Sequence, residues 1–409
     1  MKALNDNAHP LESLLQQHCP NGVEFKPLGE VIERVRRKVK NLNNVNVYSV
    51  SNSQGLILST DFRDRKLYSE DISNYTLIQK GEFAYNPARL NIGSIAFLTD
   101  EVGAVSPMYV VFKIDEKSLN QKFLFYFLKS PTTLRKIVSL TETGARFRFD
   151  FKRWEKFPIP LPPLEIQYKI VEILDAFTEL EAELEAELEA RLKQYHYYRN
   201  KLLSHDELEN RTAKSRNDSD PATLVPYVSL GEVCEKVFAG GDLPKEYSKD
   251  KKPSGEFLYP IYSNGSDENS LYGFSKTYRI DAEAVTISAR GTIGFHTTRE
   301  AKFTPIVRLI TLIPNLNKIT NRFLNYALYT THIEKYGTSA GIPQLTIPML
   351  EKITIPLPPL SVQEEIVELL DKFDTLTNDL TSGIPAEIQA RKKQYEYYRE
   401  RLLSFIAKD

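Results

Sequence analysis

Ile159-Pro-Leu-Pro-Pro-Leu164 recurs as Ile355-Pro-Leu-Pro-Pro-Leu360, 196 residues further along a chain of 409. The match spreads outward from there. Leu174-Asp-x-Phe177 returns as Leu370-Asp-x-Phe373, and Lys193-Gln-Tyr-His-Tyr-Tyr-Arg199 as Lys393-Gln-Tyr-Glu-Tyr-Tyr-Arg399, both running on into Leu-Leu-Ser. Weaker echoes lie upstream: Leu28-Gly-Glu-Val31 with Leu230-Gly-Glu-Val233, Ala88-Arg89 and Ile92-Gly93 with Ala289-Arg290 and Ile293-Gly294, Phe123-Leu-x-Tyr126 with Phe323-Leu-x-Tyr326. The chain is therefore written twice, as block, helix, block, helix. The helices match better than the blocks, which implies one shared job for the helices and two different jobs for the blocks.

Each helix is expected to open after a double proline, which suits a helix start and not its interior. Ser361-x-x-Glu364 adds a capping-box pattern to the second. Apolar residues in the first fall at Ile166, Ile170, Ile173, Phe177, Leu180, Leu184, Leu188, Leu192, Tyr195, Tyr198 and Leu202. This stripe makes the charge-dense run 179–191, built on Glu-Ala-Glu-Leu units, a solvated helical face. The second stripe runs Ile366, Phe373, Leu376, Leu380, Ile384, Ile388, Tyr395, Tyr398 and Leu402, with one extra four-residue unit between Phe373 and Ile388. Gly383 and Pro385 should kink or break it. Antiparallel pairing of the two helices through Phe177, Leu180, Leu184, Leu188, Phe373, Leu376, Leu380, Ile384 and Ile388 would bury both stripes. An unbroken helix from Leu161 to Ser204 spans about 66 Å and would hold the blocks at opposite ends of a rod. A dimerisation coiled coil between chains is the plainer alternative.

Composition narrows the class. Hydrophobic residues at 41% and charged residues at 26% exclude wholesale disorder. Cys19 and Cys234 form neither a disulfide framework nor a zinc pattern, and the six histidines lack metal-ligand spacing. Residues 1–20 do not read as a secretory signal and no run of 18 apolar residues spans a membrane, so a reducing cytosol is expected. Net charge is -1, yet residues 1–155 carry 22 basic against 17 acidic side chains and 226–350 carry 14 against 12, while the intervening and final segments are acidic. That alternation follows the duplication.

Both blocks read as α+β. Strands are expected around 45–50, 55–58 and 105–114 in the first and 258–262 and 284–288 in the second, with helices over 122–130 and 321–329. Basic clusters punctuate their loops: Arg34, Arg36, Arg37, Lys38 and Lys40; Arg63, Arg65 and Lys66; Arg146, Arg148, Lys152 and Arg153; Lys249, Lys251 and Lys252. Any one of them can be ordinary solvated surface. Arg146-Phe-Arg-Phe149 is more specific, since arginine donates bidentately to guanine; the second copy places Gln344 where Arg148 lies, and glutamine suits adenine. Polar loop residues Arg89, Asn91, Asn264, Arg290 and Thr292 complete the candidates. No phosphate-binding loop and no nucleophile elbow occur. Asn86-Pro-Ala-Arg89 lacks the second proline and aromatic residue of the amino-methyltransferase tetrapeptide, and reads as a turn.

Two variable blocks, each ending in Ile-Pro-Leu-Pro-Pro-Leu and a helix with Gln167 or Gln363, Leu-Asp-x-Phe and Lys-Gln-Tyr-x-Tyr-Tyr-Arg, resemble the specificity subunit of type I restriction-modification systems over essentially the whole chain. The resemblance implies target recognition domains at 1–155 and 226–350, central and C-terminal helical regions at 156–205 and 351–409, and a linker at 206–225. It implies that each domain reads one half of a split site in double-stranded DNA, and that the helices dock two methyltransferase (modification) subunits, which the restriction subunit, a translocase-nuclease, joins. The chain itself would be non-catalytic and hold no cofactor, with S-adenosylmethionine, ATP and Mg on partner subunits, and the cytosol would be a bacterial or archaeal cytoplasm. A fused nuclease-methyltransferase would need a methyl-donor or ATP loop, which the sequence lacks. A scaffold for two protein partners would show no salt-sensitive affinity for DNA.

Overall fold

The computed structural model describes residues 10–40, 42, 45–52, 55–60, 71–141, 147–216, 225–337, 344–379 and 381–405. They form two compact units, Met1–Glu185 with Ile388–Asp409, and Ala186–Glu387.

In the first unit the proline motif begins as a strand. Pro158–Pro160 pairs antiparallel with Phe25–Pro27, setting Ile159 opposite Lys26, and the chain turns helical at Leu164. An antiparallel sheet follows in the order Ile32–Val35, Val110–Ile114, Phe83–Tyr85, Ile95–Phe97. A second sheet runs Gly55–Leu58, Val47–Ser51, Val102–Val105, Thr76–Gln79, with its central pair parallel. The core is aromatic: Phe83 stacks on Phe112 at 5.1 Å, and the fully buried Trp154 meets Phe149, Phe157 and Tyr85 at 4.5, 5.2 and 5.9 Å. Helix Gln121–Leu128 covers it, capped by the Asn120 carboxamide accepting from the Phe123 amide at 2.9 Å.

The second unit repeats the frame with different filling. Thr354–Pro356 pairs with Tyr227–Ser229, placing Ile355 opposite Val228. The first sheet has the matching order Cys234–Ala239, Ile310–Pro314, Ala284–Ile287, His296–Arg299. Leu345, Leu350 and Ile353 fill this core. The second sheet diverges. Its order is Tyr247–Ser248, Leu271–Ser275, Tyr259–Tyr262, Thr304–Pro305, and the parallel pair now lies at its edge. Half-buried Arg299 ties the two sheets: its guanidinium lies 3.7 Å over Tyr262 and donates to Thr286 at 3.1 Å and Ser270 at 2.8 Å.

The first long helix is continuous from Leu164 to Leu202, about 58 Å at 1.5 Å per residue. Its counterpart is two helices, Leu360–Asn378 and Ile384–Leu402, so the Gly383-Pro385 expectation holds. The first turns of these helices complete each globular core: Ile166, Ile170 and Leu174 in one unit, Val362, Ile366 and Leu370 in the other, all nearly or fully buried. Beyond them the helices run antiparallel within each unit. In the first, Lys392 bridges Glu181 and Glu185 at 3.1 and 2.9 Å and Phe177 stacks on Tyr398 at 5.5 Å; in the second, Phe373 stacks on Tyr198 at 5.5 Å.

Three details differ from the sequence reading. Ser361 is inside the helix, which starts at Leu360 behind Pro359, so it caps nothing; a capping box forms instead at Ser229, whose amide donates to Glu232 at 3.2 Å. Leu376 is exposed, two residues before the helix ends at Asn378, whereas Leu184, Ile384 and Ile388 are buried and Leu180, Leu188 and Phe373 half-buried. Leu380 lies outside the described residues. Within the expected linker, residues His205–Arg216 are helical, held by buried Leu208 and by Arg211 on Glu207 at 2.8 Å.

Candidate nucleic-acid interface

In each unit a hairpin of the first sheet ends in a polar turn, and backbone hydrogen bonds draw a second segment onto it. In the first unit the turn follows Tyr85. The Asn86 carboxamide accepts from the Ala88 amide at 3.0 Å, which fixes Asn86-Pro87 as a turn, and Gly93 at φ 79° closes it. The Phe149 amide donates to the Pro87 carbonyl at 2.8 Å, so Arg148 and Arg89 share one loop cluster. The second unit does the same: the Leu345 amide donates to the Ala289 carbonyl at 3.1 Å, which brings Gln344 to the turn carrying Arg290 and Thr292. A third loop joins there through Asn264. Its carboxamide oxygen accepts from the Ala289 amide at 2.8 Å and its nitrogen donates to the Val307 carbonyl at 2.7 Å.

The candidate cations separate by what they touch. Arg37 is locked onto buried Glu82 and onto Gln79 at 2.6 Å, and Lys38 donates to the Asn74 carbonyl at 2.7 Å. Lys251 donates to the Leu271 carbonyl, and Arg153 to that of Leu140. Arg148 meets Asp150 at 2.8 Å with both side chains exposed, a pair weak enough to open for a ligand. Arg34 stands 5.9 Å over the Phe151 ring. Arg36, Arg89, Lys252 and Arg290 have no side-chain partner among the described residues. Asn91 is half-exposed beside Gly93, Thr292 bonds Ser288 at 3.0 Å, and Arg63, Arg65 and Arg146 lie outside the described residues.

Sequence reasoning missed one element at each cluster. In the first unit Met108, 56% exposed, occupies the turn between strands Val102–Val105 and Val110–Ile114. Its counterpart is Val307-Arg308, both at positive φ. Ser106-Pro107 is a turn signal in the first unit, whereas Ile306-Val-Arg-Leu-Ile310 contains no glycine, proline or asparagine and reads as plain strand, so no sequence signal marks the second turn.

Each globular unit is fixed to its helix by the repeated motif residues. Gln167 is fully buried; its side chain accepts from the Asn120 amide at 2.8 Å and donates to the carbonyls of Ser118 and Pro162 at 2.9 and 2.8 Å. Gln363 repeats this with Thr320, Lys318 and Pro358 at 3.0, 2.9 and 2.8 Å. Asp175 of Leu-Asp-x-Phe accepts from Tyr126 at 2.7 Å and Lys122 at 2.6 Å; Asp371 accepts from Tyr326 at 2.6 Å and Arg322 at 3.2 Å. Burial and then the neighbouring carboxylate push both tyrosine hydroxyls far above their usual range, so they stay protonated donors. Exposed Tyr197 and Tyr397 keep matching edge-on geometry to Tyr198 and Tyr398, at 5.3 and 5.4 Å.

A family model described as the type I restriction modification DNA specificity domain matches residues 20–194 and again 225–390. A putative type I specificity subunit of Mycoplasma pneumoniae is 37% identical over 77% of this chain and 90% of its own length. A putative type I restriction enzyme specificity subunit of Haemophilus influenzae is 31% identical over 98% and 100%. The EcoR124I/EcoR124II specificity subunit of Escherichia coli is 32% identical over 73% and 74%. The fold matches the solved type I S subunit of M. genitalium at a TM-score of 0.54, with 17% identity over 99% of both chains.

Proposed function

Because the chain belongs to the type I restriction-modification DNA specificity family, we propose that its two units each read one half of a split duplex site and that its helices dock two methyltransferase subunits. The protein is a sequence-recognition subunit. One observation carries the division of labour: the first sheet keeps its strand order in both units, while the second sheet and the turn chemistry differ. A shared frame holds two unlike readers. Identical motif geometry on the two units favours two copies of one partner, since equal surfaces bind equal ligands. Near-neutral net charge fits a chain whose partners supply much of the phosphate contact. Chemistry belongs in this reading to the partners, which carry S-adenosylmethionine, ATP and Mg; the complex works in the cytoplasm, and no helix among the described residues is long and apolar enough to cross a membrane.

The test is a methylome of cells expressing this chain with its methyltransferase subunit, repeated after residues 26–155 are replaced by the matching block of a relative. One half of the methylated site should change and the other stay. Simultaneous change of both halves, or methyl transfer by the purified single chain, would overturn the proposal.

A further inference from the structure

Val307 and Arg308 are consecutive residues at φ 51° and 60°, a conformation that a β-branched side chain resists. Three hydrogen bonds hold them there. The Val307 and Arg308 amides donate to the carbonyls of Gly241 and Gly240, each at 3.0 Å, and the Asn264 side chain donates to the Val307 carbonyl at 2.7 Å. Gly240 permits the approach, because a Cβ there would sit 2.7 Å from the Pro305 carbonyl carbon. Core packing does not demand this turn: Val307 is 54% exposed, and the exposed Arg308 has no side-chain partner among the described residues.

Topology does not demand the strain either. The first unit makes the equivalent turn with Ser106-Pro-Met-Tyr109, closed by Tyr109 to Ser106 at 3.0 Å against Leu309 to Ile306 at 3.1 Å, and none of its residues has positive φ. The second unit thus keeps a strained backbone at a turn whose exposed tip changes from Met108 to Arg308. A flexible cation serves for phosphate from any backbone, whereas a base edge must be approached at a fixed angle. Asn264 supplies the fixing and also ties the turn to the Ala289-Arg290 loop.

We infer that Arg308 is a specificity-determining residue that reads a guanine in the half-site of the second unit, and that Asn264 is the positioning residue that aims it. This rests on the proposed two-reader function. The assembled complex with its methyltransferase is tested by methylome with Arg308→Ala, Arg308→Lys and Asn264→Ala. Arg308→Ala should relax one guanine position of one half-site by about 5- to 150-fold, leave the other half intact and leave the thermal midpoint unchanged. Arg308→Lys should lose part of the same discrimination, since an ammonium can still donate to guanine but lacks the planar fork. Asn264→Ala should weaken discrimination at that position with Arg308 still present, and leave the other half-site intact. A uniform loss across all site sequences would assign Arg308 to phosphate, and an unaltered methylome would assign it to neither; either result overturns the inference and leaves the two-reader function standing. Absence of any bipartite methylation by the parent complex would overturn both.

Discussion

Replacing Gln167 by leucine removes a clamp of three hydrogen bonds without changing side-chain length much. The Asn120 amide loses its acceptor, and the carbonyls of Ser118 and Pro162 lose their donor. The Pro162 bond is buried, so an unpaired carbonyl there costs about 1–3 kcal/mol; the other two groups are partly reached by water and cost about 0.5–1.5 kcal/mol each. Leucine's greater apolar burial offsets about 1 kcal/mol. The net destabilisation should be about 1–5 kcal/mol, confined to the first unit. Gln167→Glu should be no better, because it keeps the acceptor for Asn120 but turns an oxygen towards two carbonyls. Gln363→Leu breaks the same three bonds in the second unit at nearly the same distances, so its cost should match within about 1 kcal/mol. Urea denaturation, followed with hydrogen exchange at the Asn120 and Thr320 amides, measures both. Losses under about 1 kcal/mol, or twins that differ severalfold, would refute the clamp.

Deleting Glu181 to Leu184 removes one four-residue unit, about 6 Å of helix with a rotation of about 40°. Glu185 then takes the place of Glu181 opposite Lys392, and the methylated half-sites should keep their sequences while the spacer shortens by about one or two base pairs; an unchanged spacer with full activity would show that the helix measures nothing. A two-residue deletion turns Leu188 and Leu192 about 200° and should abolish assembly in a co-purification assay. Tyr197, 61% exposed, and Tyr397, 59% exposed, should each anchor one methyltransferase: Tyr197→Glu or Tyr397→Glu should leave one copy per chain by native mass spectrometry, and the double variant none. Burial pushes the Cys234 thiol up to about 12, so at pH 8 only about one molecule in ten thousand carries the thiolate. Iodoacetamide should therefore label the half-buried Cys19 first and Cys234 only after unfolding; native labelling of Cys234 at the unfolded rate would contradict its burial.

The duplication, the helices and the family were legible because they live in local spacing. Repeated Gln167 and Gln363, Asp175 and Asp371, Phe177 and Phe373 announce themselves as identical letters, and the structure shows why: each bonds or stacks with another repeated residue, Asp175 with Tyr126, Phe177 with Tyr398. Pro385 and Gly383 likewise marked a helix break that any fold would have to respect. Tertiary structure alone decided the rest. Which cations are free to meet DNA depends on partners distant in sequence, so Arg37 looked like Arg36 until Glu82 was seen beneath it. The first turns of each helix belong to a globular core, which a stripe pattern cannot distinguish from a helix-pairing seam. The strained Val307-Arg308 turn is invisible in sequence, because its left-handed backbone is imposed by Gly240, Gly241 and Asn264 from two other loops, and local propensity there argues for a strand.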